Sequence, residues 1–429
     1  MAARLIAALA LGAVALAGCA RAPATRQPLS FWAMGREGEV VRKLVPEFER
    51  RHPEIALEVQ QIPWTAAHEK LLTAYVGGTT PDVAQLGNTW IPELVALGAL
   101  EPLDSWIARS RAIDRNDGFP GIWQTNMLDG VTWGVPWYVD TRVLFYRSDL
   151  VAAAHVPWPP RTWAEWRQAM EAVKALAPGR FAILLPIDEW EKPVILSLQT
   201  GCGLLRDGGR YGAFRDPRCR RAMAFYTDLF AARLAPALDA TGVANLYQQF
   251  AEGYFAMYIT GPWNLGEFRR RLPPEMQDRW ATVPLPAPDA SFGYPGASLA
   301  GGSSLVVLRG CRSLAAAAAW IDYLSEPAQQ AEFYRLSGNL PARRAAWTAA
   351  GLASDPRAAA FLTQLERAVP TPQVPEWEQI AARIADRSEE VMRGARGLDA
   401  ALTDLDADID RILEKRRFLL ARAAARGRR

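Results

Sequence analysis

The order of apolar patterns over residues 29–87 constrains this chain most. LSFWAM reads as a strand, and EGEVVRKLVPEFERRHP then sets Val40, Val41, Leu44, Val45 and Phe48 at helical spacing until His52-Pro53 stops it. IALEVQQI alternates, with Ile55, Leu57 and Val59 on one side; AAHEKLLTAYV is helical again, GGTTP breaks it, and DVAQL is a third strand. Strand-helix-strand-helix-strand demands a parallel sheet, because parallel neighbours need a crossover long enough to hold a helix. The pattern restarts further on. RTWAEWRQAMEAVKALA is predicted to be a helix with Thr162 and Glu165 forming a capping box, FAILLP a buried strand, and YFAMYIT another. The 429 residues leave room for two such α/β units with substantial cores. Between them, VTWGVPW and LFYR form a strand pair joined through GVPWYVDTR, Gly134 to Arg142. Near the end of the second unit, VPLPAPDASFGYPGASLAGG is rich in Pro and Gly and reads as a crossing segment or a ligand-facing loop.

The two ends are atypical of the rest. After Arg4 the run LIAALALGAVALAG is too short for an ordinary membrane span but suits the core of a signal peptide. It closes on Leu16-Ala17-Gly18-Cys19, which resembles a bacterial lipobox with Cys19 as the lipidated residue; a plain secretory cleavage nearby is the alternative. Residues 1–19 are thus expected to be removed up to that cysteine, residues 20–28 to be a linker, and the mature chain to work outside the cytoplasm. At the other end, residues 411–429 carry eight Lys or Arg and one Glu, so the formal net charge of +3 leaves 3 − 7 = −4 for everything else. Such a balance gives no nucleic-acid footprint. The basic end reads as the solvated tip of a last helix, with contact to an anionic membrane as its alternative.

Residue inventory weakens the common catalytic schemes. Gly296-Ala297-Ser298-Leu299-Ala300 falls short of a nucleophile elbow, and the three histidines, His52, His68 and His155, all precede it, so the Ser, acid, His order of an α/β-hydrolase cannot occur. There is no P-loop, no GxGxxG after a strand and no HExxH, and no metal site or cofactor is expected. Paired carboxylates remain plentiful, which leaves a secreted glycosidase as the second hypothesis and a surface adhesin or structural lipoprotein as a third. Beyond Cys19 there are three cysteines, too few and too sparse for a disulfide framework; Cys202 and Cys219, flanking LLRDGGRYGAFRDPR, are a possible pair in an oxidising compartment.

The sixteen tryptophans carry the strongest ligand signal. Trp32, Trp64, Trp90, Trp137, Trp263 and Trp377 each fall at or just past a predicted strand end, where α/β folds present side chains to a ligand. A pyranose packs its C–H faces on aromatic rings and needs acids, amides and Arg for its hydroxyls. With these residues assembled, the sequence resembles the extracellular solute-binding proteins of bacterial ATP-binding-cassette importers, in the sugar-binding group that includes maltose- and trehalose-binding proteins. The resemblance spans the mature chain, through FERRHPEIALEV, TTPDVAQLGNTWIPELVALGALEPLDSWI, WGVPWYVDTRVLFYRSDLV, VPWPPRTWAEW, FAEGYFAMYITGPWNLGEF, SLAGGSSLVVL, AAWIDYLSEPAQQAEFYRLSGNLPARRAAW and VPTPQVPEW, in the family's order.

The resemblance implies a two-lobed α/β periplasmic-binding-protein fold, type II-like, with a sheet in each lobe and a ligand cleft between them that closes by a hinge. It sets the lobes at about 28–141 plus 283–326, and 142–282 plus 327–429. It implies a non-enzymatic, monomeric, lipid-anchored protein of the periplasm or cell surface whose partners are a carbohydrate and the importer's permease subunits. Tyr138 and Asp140 match the family's aromatic and acid at the first crossing, Trp263 after Gly-Pro its stacking aromatic, and Gly302-Ser303 a loop where relatives often carry Gly then an aromatic ring. Arg142 is expected to hold Asp140 or reach the sugar. Trp32, Glu37, Trp64, Asn88, Asn264, Arg343 and Trp377 lie in segments that supply contacts in various members, and Thr371 stands where some relatives carry Arg.

Overall fold

The computed structural model describes residues 26–239 and 245–427; the signal segment and Cys19 lie outside them. The main strands are β1 (Gln27–Met34), β2 (Ile55–Ile62), β3 (Val83–Gly87), β4 (Val135–Asp140), β5 (Val143–Arg147), β6 (Phe181–Leu184), β7 (Phe255–Thr260), β8 (Trp280–Val283), β9 (Gly301–Val307) and β10 (Leu340–Pro341). One sheet has the order β10-β4-β9-β3-β1-β2 and the other β8-β5-β7-β6. As the pattern of residues 29–87 requires, β1 runs parallel to both β2 and β3. The segment expected to be one helix after β1 is two, Gly35–Val41 and Val45–Arg51. Leu44 lies helical between them, but Pro46 in the first turn of the second helix has no N–H to continue the ladder.

β4 and β5 are consecutive but sit in different sheets, so the chain passes from one lobe to the other at Thr141-Arg142. A second passage lies between β8 and β9. The third was expected at 325–327, and there the structure differs. The helix Pro327–Ser337 puts Phe333 into the first lobe's core against Trp137, and β10 pairs with β4. The chain therefore stays on the first lobe to Pro341. The apolar stripe of that helix gives the reason: Phe333 finds a stacked aromatic partner 4.3 Å away, and leaving the lobe earlier would expose it.

Each lobe is tied by a different device. In the first, buried Asp82 accepts from the backbone N–H and hydroxyl of Ser30 and from Arg312. Burial alone would raise this carboxyl's pKa, but those donors hold it well below the usual carboxylate range. In the second, Cys202 and Cys219 form a disulfide, with Cα atoms 5.0 Å apart, inside a core that includes Trp377, Ile380 and Leu405. Thr162 accepts from the N–H of Glu165, whose side chain returns to the Thr162 backbone, completing the expected capping box.

Candidate functional site

The sheet topology brings one set of strand ends to a common edge. β1 leads to Glu37, β2 to Trp64, β3 to Thr89 and Trp90, and β7 through Gly261-Pro262 to Trp263. β9 is antiparallel to β3 and β4, pairing Ser303 with Gly87 and Gly301 with Asp140, so its first residues reach the same edge. A cavity of about 610 Å³ opens there, lined by both lobes.

Local irregularities aim the side chains. The register between β4 and β9 shifts between Ser303 and Ser304, which oppose Tyr138 and Pro136 and leave Trp137 as the extra residue of a bulge. Trp137 fills the core while Tyr138 sends its hydroxyl toward the cavity wall. Gly302 has φ +117°, and a Cβ there would meet the Tyr138 carbonyl oxygen at 2.3 Å. Only glycine lets these two backbones approach so closely.

The first-lobe wall is a connected hydrogen-bond network. Gln85 accepts from the Met34 N–H (2.8 Å) and donates to the hydroxyls of Tyr138 (3.0 Å) and Ser303 (3.2 Å). Ser303 donates to Tyr138 at 2.9 Å, and Tyr138 makes a long contact, 3.4 Å, to Glu37 Oε1. Asn339 donates to the same oxygen at 2.8 Å, and Trp64 Nε1 lies 3.4 Å from Glu37 Oε2. Burial, with Glu37 and Asp140 adding to it, pushes the Tyr138 phenol well above its ordinary pKa, so it is neutral. Trp64, 36% exposed, stands edge-on to Trp90 with centroids 5.6 Å apart. Behind Trp90, His68 pairs with Glu93 at 2.7 Å.

The second-lobe wall is built on Trp263, first residue of the helix Trp263–Arg271 and 42% exposed. Its indole lies so close to Gly261 that a Cβ there would meet the ring at 2.1 Å. The Arg142 guanidinium sits 4.7 Å from the Trp263 ring centre, pairs with Asp140 Oδ2, and reaches Glu191 Oε1 at 3.2 Å. Its backbone N–H donates to Ser298 at 3.2 Å and its carbonyl accepts from the same hydroxyl at 2.9 Å, which pins Arg142 at the passage between lobes. Burial raises the Asp140 pKa, Arg142 pulls it down, and Glu191 adds to the rise, for a net upward shift. Asp140 Oδ1 is buried without a hydrogen-bond partner.

Of the residues expected to bind, Glu37, Trp64, Tyr138, Asp140, Arg142, Trp263, Gly302 and Ser303 line the cavity. Five expected contacts do not. Trp32 is buried in the first lobe's core beneath Lys70. Asn88 is buried beside the wall and accepts from Ser304 at 2.9 Å. Asn264, on the helix Trp263–Arg271, donates to Thr260 at 2.7 Å and accepts from Tyr247 at 3.0 Å. Arg343 pairs with Asp117 at 2.8 Å, and Trp377 is 1% exposed in the disulfide core. In each case a polar partner or apolar core within the lobe takes the side chain. Thr371 is not among the lining residues either. The cavity adds Gly87, Thr89, Trp90, Val139, Glu191, Pro262 and Asn339. Trp90 carried the strand-end signal; Glu191 and Asn339 had none, since each reaches the cavity through packing distant in sequence.

Two lobes, a passage at residues 141–142 and an aromatic cleft at the strand ends define a ligand-capturing binding protein of the two-lobed type. The profile of the bacterial extracellular solute-binding proteins matches residues 34–331, and the chain belongs to that family, which is one of transport-linked binding proteins and not of enzymes. The sugar-binding protein MalE of the phytopathogen Xanthomonas citri is 47% identical, with a TM-score of 0.87 over 92% of this chain and 99% of that one. A putative binding protein of Brucella abortus (strain 2308) is 26% identical over 94% of this chain and 97% of its own length. The diacetylchitobiose binding protein of Streptomyces coelicolor is 24% identical over 87% of each.

Proposed function

We propose that this protein captures a disaccharide or short oligosaccharide between its lobes and delivers it to the permease of an ATP-binding-cassette importer. The carrying observation is the pairing of exposed Trp64 and Trp263 in one cavity with hydrogen-bonding groups of both kinds. Rings of a saccharide would pack on the indoles while its hydroxyls meet Asp140, Glu37, Asn339 and Ser303. About 610 Å³ falls within the usual range of ligand sites. The sugar-binding relative from Xanthomonas citri supports the saccharide class. Both walls come from one chain, so a monomer suffices. The residues proposed to bind are Glu37, Trp64, Tyr138, Asp140, Arg142, Trp263, Gly302 and Ser303, joined by Trp90, Glu191 and Asn339.

The lipobox LAGC supports a lipid anchor on Cys19, and the disulfide supports work outside the cytoplasm. No helix among the described residues is long and apolar enough to cross a membrane. Cys19→Ala is expected to move the protein from the membrane fraction to the soluble one; unchanged fractionation would sink that part. For the main proposal, purified protein is screened by thermal shift against maltose, trehalose and other disaccharides, with product analysis. A bound sugar at a hundred times its dissociation constant adds about 2.7 kcal/mol of stability and leaves the sugar intact. No shift with any sugar, or hydrolysis at enzymatic rates, would overturn it.

A further inference from the structure

Taking the cleft as a saccharide site, we infer that it prefers a saccharide carrying a protonated amine over its neutral counterpart and rejects anionic ones. The charges that face the cavity are unbalanced. Glu37, Asp140 and Glu191 line it, and the only lining cation among the described residues is Arg142. Arg142 is shared between Asp140 and Glu191. Lys192, buried outside the lining, acts on Asp140 from behind, but it is paired with Glu189, so the two together add no net charge. Among the described residues the donors to Glu37 are all neutral: Asn339, Trp64 and Tyr138. Three carboxylates against one guanidinium leave a formal excess of two negative charges.

Placement makes that excess useful to a ligand. Tyr138 and Asp140 are two residues apart on β4 and so share a face of the strand. Glu37 touches the Tyr138 hydroxyl, which puts its carboxylate on the same side as the buried, unpartnered Oδ1 of Asp140. Both carboxylates line the one cavity, so a saccharide held there can offer an ammonium to one and hydroxyls to the other. Charge-assisted hydrogen bonds are roughly twice as strong as neutral ones, and in a cavity closed away from water the attraction is screened far less than at a surface. The same field repels a phosphate or uronate group.

The test uses two series, each built on one disaccharide skeleton: trehalose, 2-amino-2-deoxytrehalose, its N-acetyl derivative and trehalose 6-phosphate; and maltose with the corresponding three derivatives. Calorimetric titration of the full mature protein is run at low and high salt. In the series whose neutral member binds, the amine is expected to bind at least tenfold tighter at low salt, with the gap shrinking as salt rises. N-acetylation should remove the gain, and the phosphate should bind at least tenfold more weakly than the neutral sugar. Glu37→Gln should bring the amine-to-neutral ratio toward one. Equal binding of amine and neutral sugar, or tighter binding of the phosphate, overturns the preference while leaving the saccharide site standing. If no member of either series binds, the saccharide reading falls and the preference falls with it.

Discussion

The two walls of the cleft are built in opposite ways. On the first lobe, Gln85, Tyr138, Ser303, Glu37 and Asn339 hold one another through hydrogen bonds, and a strand bulge and Gly302 fix their backbone. On the second, a single exposed indole carries a guanidinium anchored at the passage between lobes. The first wall is therefore organised before any ligand arrives. The second supplies a broad face that gains most when closure removes water. Binding should thus be coupled to stability on the first wall and nearly independent of it on the second.

Asp140, where the walls meet, gives the largest effect. Asp140→Ala removes the acceptor and leaves Arg142 with Glu191 alone, and affinity is expected to fall more than 100-fold, about 3 kcal/mol for two lost charge-assisted bonds. Isothermal calorimetry measures this, with circular dichroism checking that the fold persists. Trp263→Ala comes next, at 10- to 100-fold weaker binding with a melting temperature near wild type. A large loss of stability in that variant would blur the distinction between the walls. Gly302→Ala should do the reverse, costing about 2 kcal/mol of stability in denaturant titration because the added Cβ must push the Tyr138 carbonyl away, and weakening binding about tenfold. Unchanged stability there would mean that the first wall is not fixed in advance. Trp64→Ala should weaken binding only several-fold.

The smallest effect is a pH dependence behind Trp90. The hydrogen bond to Glu93 raises the His68 pKa, against burial. The pair's contribution, about 0.5 kcal/mol for a partly exposed ion pair, is fully present below the ordinary histidine range and is lost as pH rises through the raised value. Denaturant titrations of wild type and His68→Ala at pH 6 and pH 9 should differ more at pH 6. An equal difference at both would remove this support from Trp90.

Sequence pattern makes the fold readable here because parallel strands linked by helices leave few alternatives. Residues 29–87 announce their own sheet, and GVPWYVDTR marks the passage between lobes. What pattern cannot supply is the direction of a side chain at an element's end. Trp263 and Trp377 both begin helices, yet one stands 42% exposed in the cleft and the other is 1% exposed beside a disulfide. Only the packing of distant segments separates them. Arg343 and Asn264 have the right chemistry for a sugar, but Asp117 and Thr260 hold them inside their lobes. Asn339 reaches Glu37 across 302 positions of sequence because the chain stays on the first lobe past residue 327, and no local signal announces that return.

One cavity between the lobes is proposed to bind a saccharide on Trp64 and Trp263, with Asp140 as its hydroxyl acceptor. A crystal structure of the protein with the tightest disaccharide from the thermal-shift screen decides whether it does. Sugar rings are expected to pack on those two indoles, with at least one hydroxyl within hydrogen-bond distance of Asp140. A sugar bound elsewhere, or in the cleft without touching either indole or Asp140, would contradict it.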